Sequence, residues 1–188
     1  MLRSNGRGVK LTSPATSVSI GAIHDFPPAR KAQHSMRIFL DADACPAKDQ
    51  VYRVATRYGV AVAVVANTRL RIPDQAEVEM VVVPGGIDVA DDWIAEHAGV
   101  DDLVLTADIP LAARVLRAGA RCLDFRGGEF DSNRIGEALA SRDINAYLRS
   151  VGLPASSVAA YSPRDRSRFA SKLDAVISQA TKKLKPPP

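Results

Sequence analysis

The chain is poor in several things that usually decide a reading. Only Cys45 and Cys122 occur in 188 residues, so no disulfide framework holds the fold, and both thiols suit a reducing cytosol. No apolar run approaches the ~20 residues that a membrane span needs, and a cytoplasmic protein without membrane contact is expected. The three histidines, His24, His34 and His97, stand apart from the acidic clusters, which argues against zinc. Aromatic residues make up 5% of the chain, too few for an evident single-strand-binding groove of stacking platforms. No lysine occurs between Lys48 and Lys172, and no internal repeat is visible.

What is present is enough apolar sequence, 46%, to bury one sizeable core in one domain. Residues 1–35 are rich in Ser, Pro, Gly and Thr and lack periodicity, so a disordered N-terminal extension is expected there. The likeness of its Arg- and Ser-rich start to a transit peptide is weak, and an upstream extension of a domain starting at Met36 is the preferred reading. The net charge of +4 comes from this extension, with five Lys/Arg against one Asp. Beyond it the charge is divided. Residues 36–113 hold 6 basic and 13 acidic groups, and residues 114–188 hold 14 basic and 7 acidic groups. An acidic half joined to a basic half suits a metal site beside a surface for a polyanion, although solvated helix would explain the basic half as well.

From Met36 to about residue 182 strand and helix patterns alternate. Strands are expected at Arg37–Ala42, Val60–Ala66, Val78–Val83, Leu103–Ala107 and Ala120–Phe125. Helices are expected from Pro46 to Tyr58, stopped by Gly59, and over Asp88–Ala98, Ile109–Ala118, 133–150 and 165–182. The strands lack strict alternation, as parallel strands covered on both faces do. The fold class is α/β, a three-layer doubly wound, mostly parallel five-stranded sheet. Residues 183–188 are read as a disordered tail.

The chemistry is concentrated in acids. Asp41 and Asp43 close the first strand one residue apart, and extended backbone would turn both carboxylates to one face. Like charges that close need a cation or a shared proton. Asp108 follows the fourth strand, and Asp88, Asp91 and Asp92 open the helix before it. In an open parallel sheet all three groups meet at the carboxyl ends of the strands, where ligands bind. Hard carboxylate oxygens suit Mg²⁺ or Mn²⁺ with several waters retained. Ordinary roles exist too. Asp88 is a good N-cap with Asp91 at N3, and Asp108 can cap the helix at Ile109-Pro110. Asp101 and Asp102 read as a solvated turn, Asp124 as a strand end near the site edge, and Cys45 as a small buried thiol.

The segments Asp41-Ala42-Asp43-Ala44-Cys45-Pro46, Val65-Ala66-Asn67, Asp88-Val89-Ala90-Asp91-Asp92-Trp93-Ile94 and Thr106-Ala107-Asp108-Ile109-Pro110-Leu111-Ala112 together resemble the YaiI/YqxD family of uncharacterised bacterial proteins. Arg126-Gly127, Arg142-Asp143 and Asp165-Arg166 continue the likeness, which spans Met36 to about Ile177. That family is related to PIN-like nucleases. The resemblance implies a PIN-like fold and metal-assisted phosphodiester hydrolysis, with RNA as the partner and Mg²⁺ or Mn²⁺ as cofactor. Carried across, Asp41, Asp43, Asp92 and Asp108 are the catalytic and metal-binding candidates, with Asp91 and Asp88 next. Asn67 and Thr106 would orient a ligand or water, and Arg126, Arg142 and Arg166 would hold phosphates. Two departures stand out. The paired Asp-x-Asp replaces the usual single acid of the first strand, and Ser157-Val158-Ala159-Ala160-Tyr161 lacks the Gly-Gly-Pro common among relatives.

Two other functions fit parts of the pattern. An apolar strand ending in Asp-x-Asp also describes a haloacid-dehalogenase-like phosphatase, with Asp41 as nucleophile and Asp43 as acid. The missing lysine counts against it. The acids could also serve a non-catalytic metal- or RNA-binding module.

Overall fold

The computed structural model describes residues 36–75, 77–154 and 159–184. The expected extension at 1–35, part of the 157–161 loop and the last four residues lie outside that range. The first strand, β1 (Arg37–Asp41), is followed by α1 (Lys48–Tyr58), β2 (Ala61–Ala66), β3 (Val78–Val82), α2 (Val89–His97), β4 (Leu103–Leu105) and α3 (Ile109–Arg117). Then come β5 (Arg121–Leu123), β6 (Glu129–Phe130), α4 (Ile135–Ser150) and α5 (Pro163–Leu184).

The strands form one sheet in the order β3-β2-β1-β4-β5-β6. The first five strands run parallel, and β6 pairs antiparallel with β5. The sheet therefore has six strands where five were expected. The additional strand is made by a turn: Asp124 Oδ1 accepts from the N–H groups of Arg126 and Gly128, both at 2.7 Å. Gly127 adopts φ +81° there, with its absent side chain close against the Arg168 backbone. Asp124 thus shapes a turn, and the chain folds back as an edge strand.

Alternation along each strand feeds two cores on opposite faces. Ile38, Leu40, Val62 and Val64 pack with Val51 and Ala55 of α1 and with Phe169, Leu173 and Ile177 of α5. Phe39, Ala63, Val65 and Val104 pack with Ile94 of α2 and Leu111 and Val115 of α3. Three layers result. A strand whose side chains are buried on both faces has no polar positions to alternate with, which is why these runs read as continuously apolar.

Local signals set the ends of the elements. Gly59 ends α1 at φ +63°, where its N–H bonds back to the helix, a conformation glycine adopts without side-chain clash. Helix α1 starts at Lys48, two residues later than Pro46 suggests. Helix α5 starts earlier than expected. Ser162 Oγ accepts from the Asp165 N–H at 3.1 Å, while Asp165 Oδ2 accepts from the Ser162 N–H at 3.0 Å. This reciprocal cap, with Pro163 as the first helical residue, is written in Ser162-Pro163-Arg164-Asp165. The helix continues through Leu184, so the expected tail at 183–188 begins as helix.

Asp102 departs from the solvated role expected of it. It is 5% exposed and accepts from the Arg37 N–H, the Arg37 guanidinium and the Gly99 N–H. A buried carboxylate needs such partners, and here they tie the start of β1 to the turn before β4. Asp101 is exposed, at φ +72°.

Candidate metal centre at the strand ends

The chain passes from β1 outward to β3, then returns to β4 on the other side of β1. The carboxyl ends of β1 and β4 therefore flank the point where the winding reverses, the place where open α/β sheets bind ligands. Asp41, the last residue of β1, shares the parity of Phe39 and faces the α2/α3 layer. It is 7% exposed, and Thr106, fully buried just past β4, donates its hydroxyl to Asp41 Oδ2 at 2.8 Å. The same hydroxyl oxygen accepts from the Asp108 N–H at 3.0 Å. Thr106 thereby joins the two strand ends.

Asp108 caps α3, with Oδ1 accepting from the Leu111 N–H at 2.7 Å. Burial pushes the Asp41 carboxyl above its ordinary range. The Thr106 hydroxyl and the Ala44 N–H pull it partly back, and the charges of Asp43 and Asp108 push it further up. Asp91, half-buried on the first turn of α2, is pushed up to about 6 by burial and then by Asp41, Asp108 and Asp88, with Arg114 opposing. Asp41, Asp91 and Asp108 therefore share one field.

Other candidates are placed differently. Strand β1 ends at Asp41, so Asp43 lies in a bend and does not extend the strand face. Its exposed carboxylate accepts from the Asn67 N–H at 3.0 Å, at the end of β2. The Asn67 contact comes from its backbone. Asp88 precedes α2 in the left-handed region, φ +61°, and its side chain makes no cap hydrogen bond, which removes the capping role expected of it. Asp92 is exposed and ion-paired to Arg114 at 2.7 Å. It lines a separate recess with Glu79, Val83 and Trp93 beside β3. Asp91 thus shares the field of Asp41 and Asp108, while Asp92 is paired with Arg114. Asp91 and Asp92 are about 100° apart around the helix, so only one can face β1.

Among the cations, Arg126 is committed to Asp165 at 2.9 Å and to the Ala159 carbonyl. Arg142, on the exposed surface of α4, has Asp143 as its ion-pair neighbour at 3.6 Å. Arg166 lines a recess with residues 45–50, which follow the Asp-x-Asp segment. Burial raises the Cys45 thiol to about 11, in keeping with the small buried thiol expected. Two relevant residues were missed by sequence reasoning. Arg114 supplies the counter-charge in the acidic field, and Asp165 organises Ser162, Arg126 and Arg168. Only the capping pattern at Asp165 carried a readable signal.

Among the described residues no three His, Cys, Asp or Glu side chains stand together as a ready metal cage.

A sequence profile described as "Uncharacterized BCR, YaiI/YqxD family" matches residues 39–179. The chain belongs to the YaiI/YqxD family. A UPF0178 protein of Caulobacter sp. (strain K31) is 50% identical over 143 residues, 76% of this chain and 95% of that protein. UPF0178 protein RC1_2062 of Rhodospirillum centenum (strain ATCC 51521 / SW) is 50% identical over 145 residues, 75% of this chain and 94% of its own length. A UPF0178 protein of Rhodopseudomonas palustris (strain BisB5) is 45% identical over 152 residues, covering 81% and 93%. No solved structure matches the chain significantly. Among the described residues no helix is long and apolar enough to cross a membrane.

Proposed function

We propose that this protein is a Mg²⁺- or Mn²⁺-dependent phosphodiesterase acting on RNA, with Asp41, Asp91 and Asp108 as the principal carboxylates and Asp43 at their edge. The observation that carries the reading is that three acids, from β1, α2 and the end of β4, lie within electrostatic reach of one another at the reversal of the sheet. Burial first, and then the charges of Asp41, Asp108 and Asp88, push Asp91 up to about 6. A hard divalent ion fits that donor set, and when bound it would supply water activation and charge stabilisation at the phosphate.

The chain's own residues have separable tasks. Thr106 fixes Asp41 and the backbone of Asp108 relative to each other. Arg114 limits the negative charge near Asp91 and holds Asp92 away. Asn67 positions Asp43 through its N–H. Arg166 offers a cation for a phosphate next to the acids, while Arg126 and Arg142 have carboxylate neighbours that a polyanion would have to displace. RNA as the substrate class is supported by the net basic second half of the chain, which contributes backbone affinity without base choice.

The test is cleavage of an end-labelled RNA by the purified full chain with Mn²⁺ or Mg²⁺. Activity lost in Asp41→Asn and Asp91→Asn but retained in the exposed control Asp101→Asn would support the reading. Equal activity in all would indicate a contaminating nuclease and refute it.

A further inference from the structure

Strand β3 is the outer strand of the sheet on the side away from β6. The Val62 N–H bonds to the Glu77 carbonyl, and the Val83 N–H bonds to the Ala66 carbonyl. Backbone N–H and C=O groups change sides at each residue of a strand, so those of Glu79 and Val81 also face β2. Those of Met80 and Val82 point the other way, where no further strand of the described residues receives them. The Val82 residue is 49% exposed. This edge is a short template for one more strand.

A recess runs along the same edge, lined by residues 79–84 and by Val89, Asp92, Trp93 and Glu96 of α2. The helix positions recur at i, i+3, i+4 and i+7, so they share one face. Val81, Val83, Val89 and Trp93 belong to the apolar layer on the α2 side of the sheet. Glu79 shares the parity of Val81 and Val83 and stands on that side too. Asp92 is held by Arg114. Glu79 and Glu96 have no Lys or Arg partner among the described residues. The deficit of cations is regional: residues 72–113 hold ten Asp or Glu and no Lys or Arg.

Unpaired backbone groups, an apolar trough and two unmatched carboxylates are complementary to an extended basic peptide. We propose that this edge receives a segment of a partner protein in which Lys or Arg stands beside alternating apolar residues. Its main chain pairs with Met80 and Val82, its apolar side chains lie against Val81 and Trp93, and its cation meets Glu79 and Glu96. A second copy of this chain is the poorer occupant. Its own β3 brings another anionic stretch to an edge already acidic, and like charges set across a sheet repel. The proposal is independent of the phosphodiesterase chemistry above.

The experiment is a ¹⁵N–¹H NMR titration of the full chain in EDTA with the end-blocked peptide Lys-Thr-Val-Thr-Val-Thr-Lys and with its counterpart carrying Glu for Lys. The Lys peptide is expected to shift the Met80, Val82 and Trp93 signals. It should bind about tenfold more tightly than the Glu peptide, as two exposed ion pairs imply. Glu96→Lys should erase that preference, and Glu79→Lys/Glu96→Lys should reverse it. Val82→Pro removes an outward N–H and leaves the ladder to β2 whole, so it should weaken both peptides alike. Unshifted edge signals at millimolar peptide, equal affinity for the two peptides, or a preference that survives both Glu variants would overturn the docking edge. Shifts confined to Asp41 and Asp108 would overturn it too, since the peptide would then sit on the acids at the strand ends. A dimer of the chain alone, seen in sedimentation and dissociated by Val82→Pro, would give the edge to a second copy and equally overturn the proposal. Because no divalent ion is present, none of these results bears on RNA cleavage.

Discussion

Asp91 offers a measurable consequence of the crowded acids. Its carboxyl is raised from 3.8 to about 6, first by burial and then by Asp41, Asp108 and Asp88. A raised carboxyl binds its proton more tightly in the folded state than in the unfolded one. Stability from this group is therefore complete below about pH 4, falls as pH rises toward 6, and stays low above it. Two units correspond to about 3 kcal/mol, which partial exposure and solvent screening reduce to roughly 1–2 kcal/mol. Asp91→Asn removes the charge and keeps the shape. It should raise Tm by roughly 2–8 °C at pH 8 in EDTA, for a domain of this size, and by little at pH 4. Thermal denaturation at the two pH values measures this directly. A variant less stable than the parent at both would show that Asp91 serves as a structural acceptor, and the electrostatic reasoning would fall.

Four further outcomes are expected. Thr106→Val removes the buried hydroxyl that joins Asp41 to the Asp108 N–H and should cost about 1–3 kcal/mol, read from urea unfolding; an unchanged midpoint would mean that the two strand ends do not depend on it. Asp102→Ala removes the carboxylate that accepts from the Arg37 guanidinium and from two backbone N–H groups, leaving Arg37 its bond to the His97 carbonyl, and should cost about 3 kcal/mol, whereas Asp101→Asn should shift the midpoint little. The Ser162 hydroxyl and N–H, ahead of Arg126 and Arg168, hold Asp165 below the ordinary carboxylate range. Its contribution is present above the unfolded value near 3.8 and lost as pH falls through the lower folded one, so Asp165→Asn should lower Tm at pH 7 and converge with the parent in strong acid. Finally, burial raises the Cys45 thiol to about 11, so alkylation of native protein at pH 8 should be far slower than that of a denatured control; comparable rates would contradict its burial.

The parts of this molecule legible in its sequence are those with a local cause. Continuous apolar runs such as Val62–Ala66 announce strands buried on both faces, and Gly59 announces the end of α1. Asp108 before Ile109-Pro110 announces a cap, which the structure contains. The two-residue strand β6 has no periodicity of its own and exists because Asp124 gathers two N–H groups around Gly127. Asp102 reads as a turn acid because its partner Arg37 is 65 residues away. The choice between Asp91 and Asp92 depends on the rotation of α2 over β1 and on Arg114, neither of which spacing reveals. Asp43 escapes the strand rule because extension stops at Asp41.

The central claim is that Asp41, Asp91 and Asp108 form a seat for a hydrated divalent cation. Diffraction from a crystal soaked in Mn²⁺ tests it most directly. The account predicts an anomalous peak beside the Asp41 carboxylate, within reach of Asp91 or Asp108 directly or through bound water, and absent in Asp41→Asn. A soaked crystal with no peak there, or with manganese only beside Asp92 and Glu79, would contradict it.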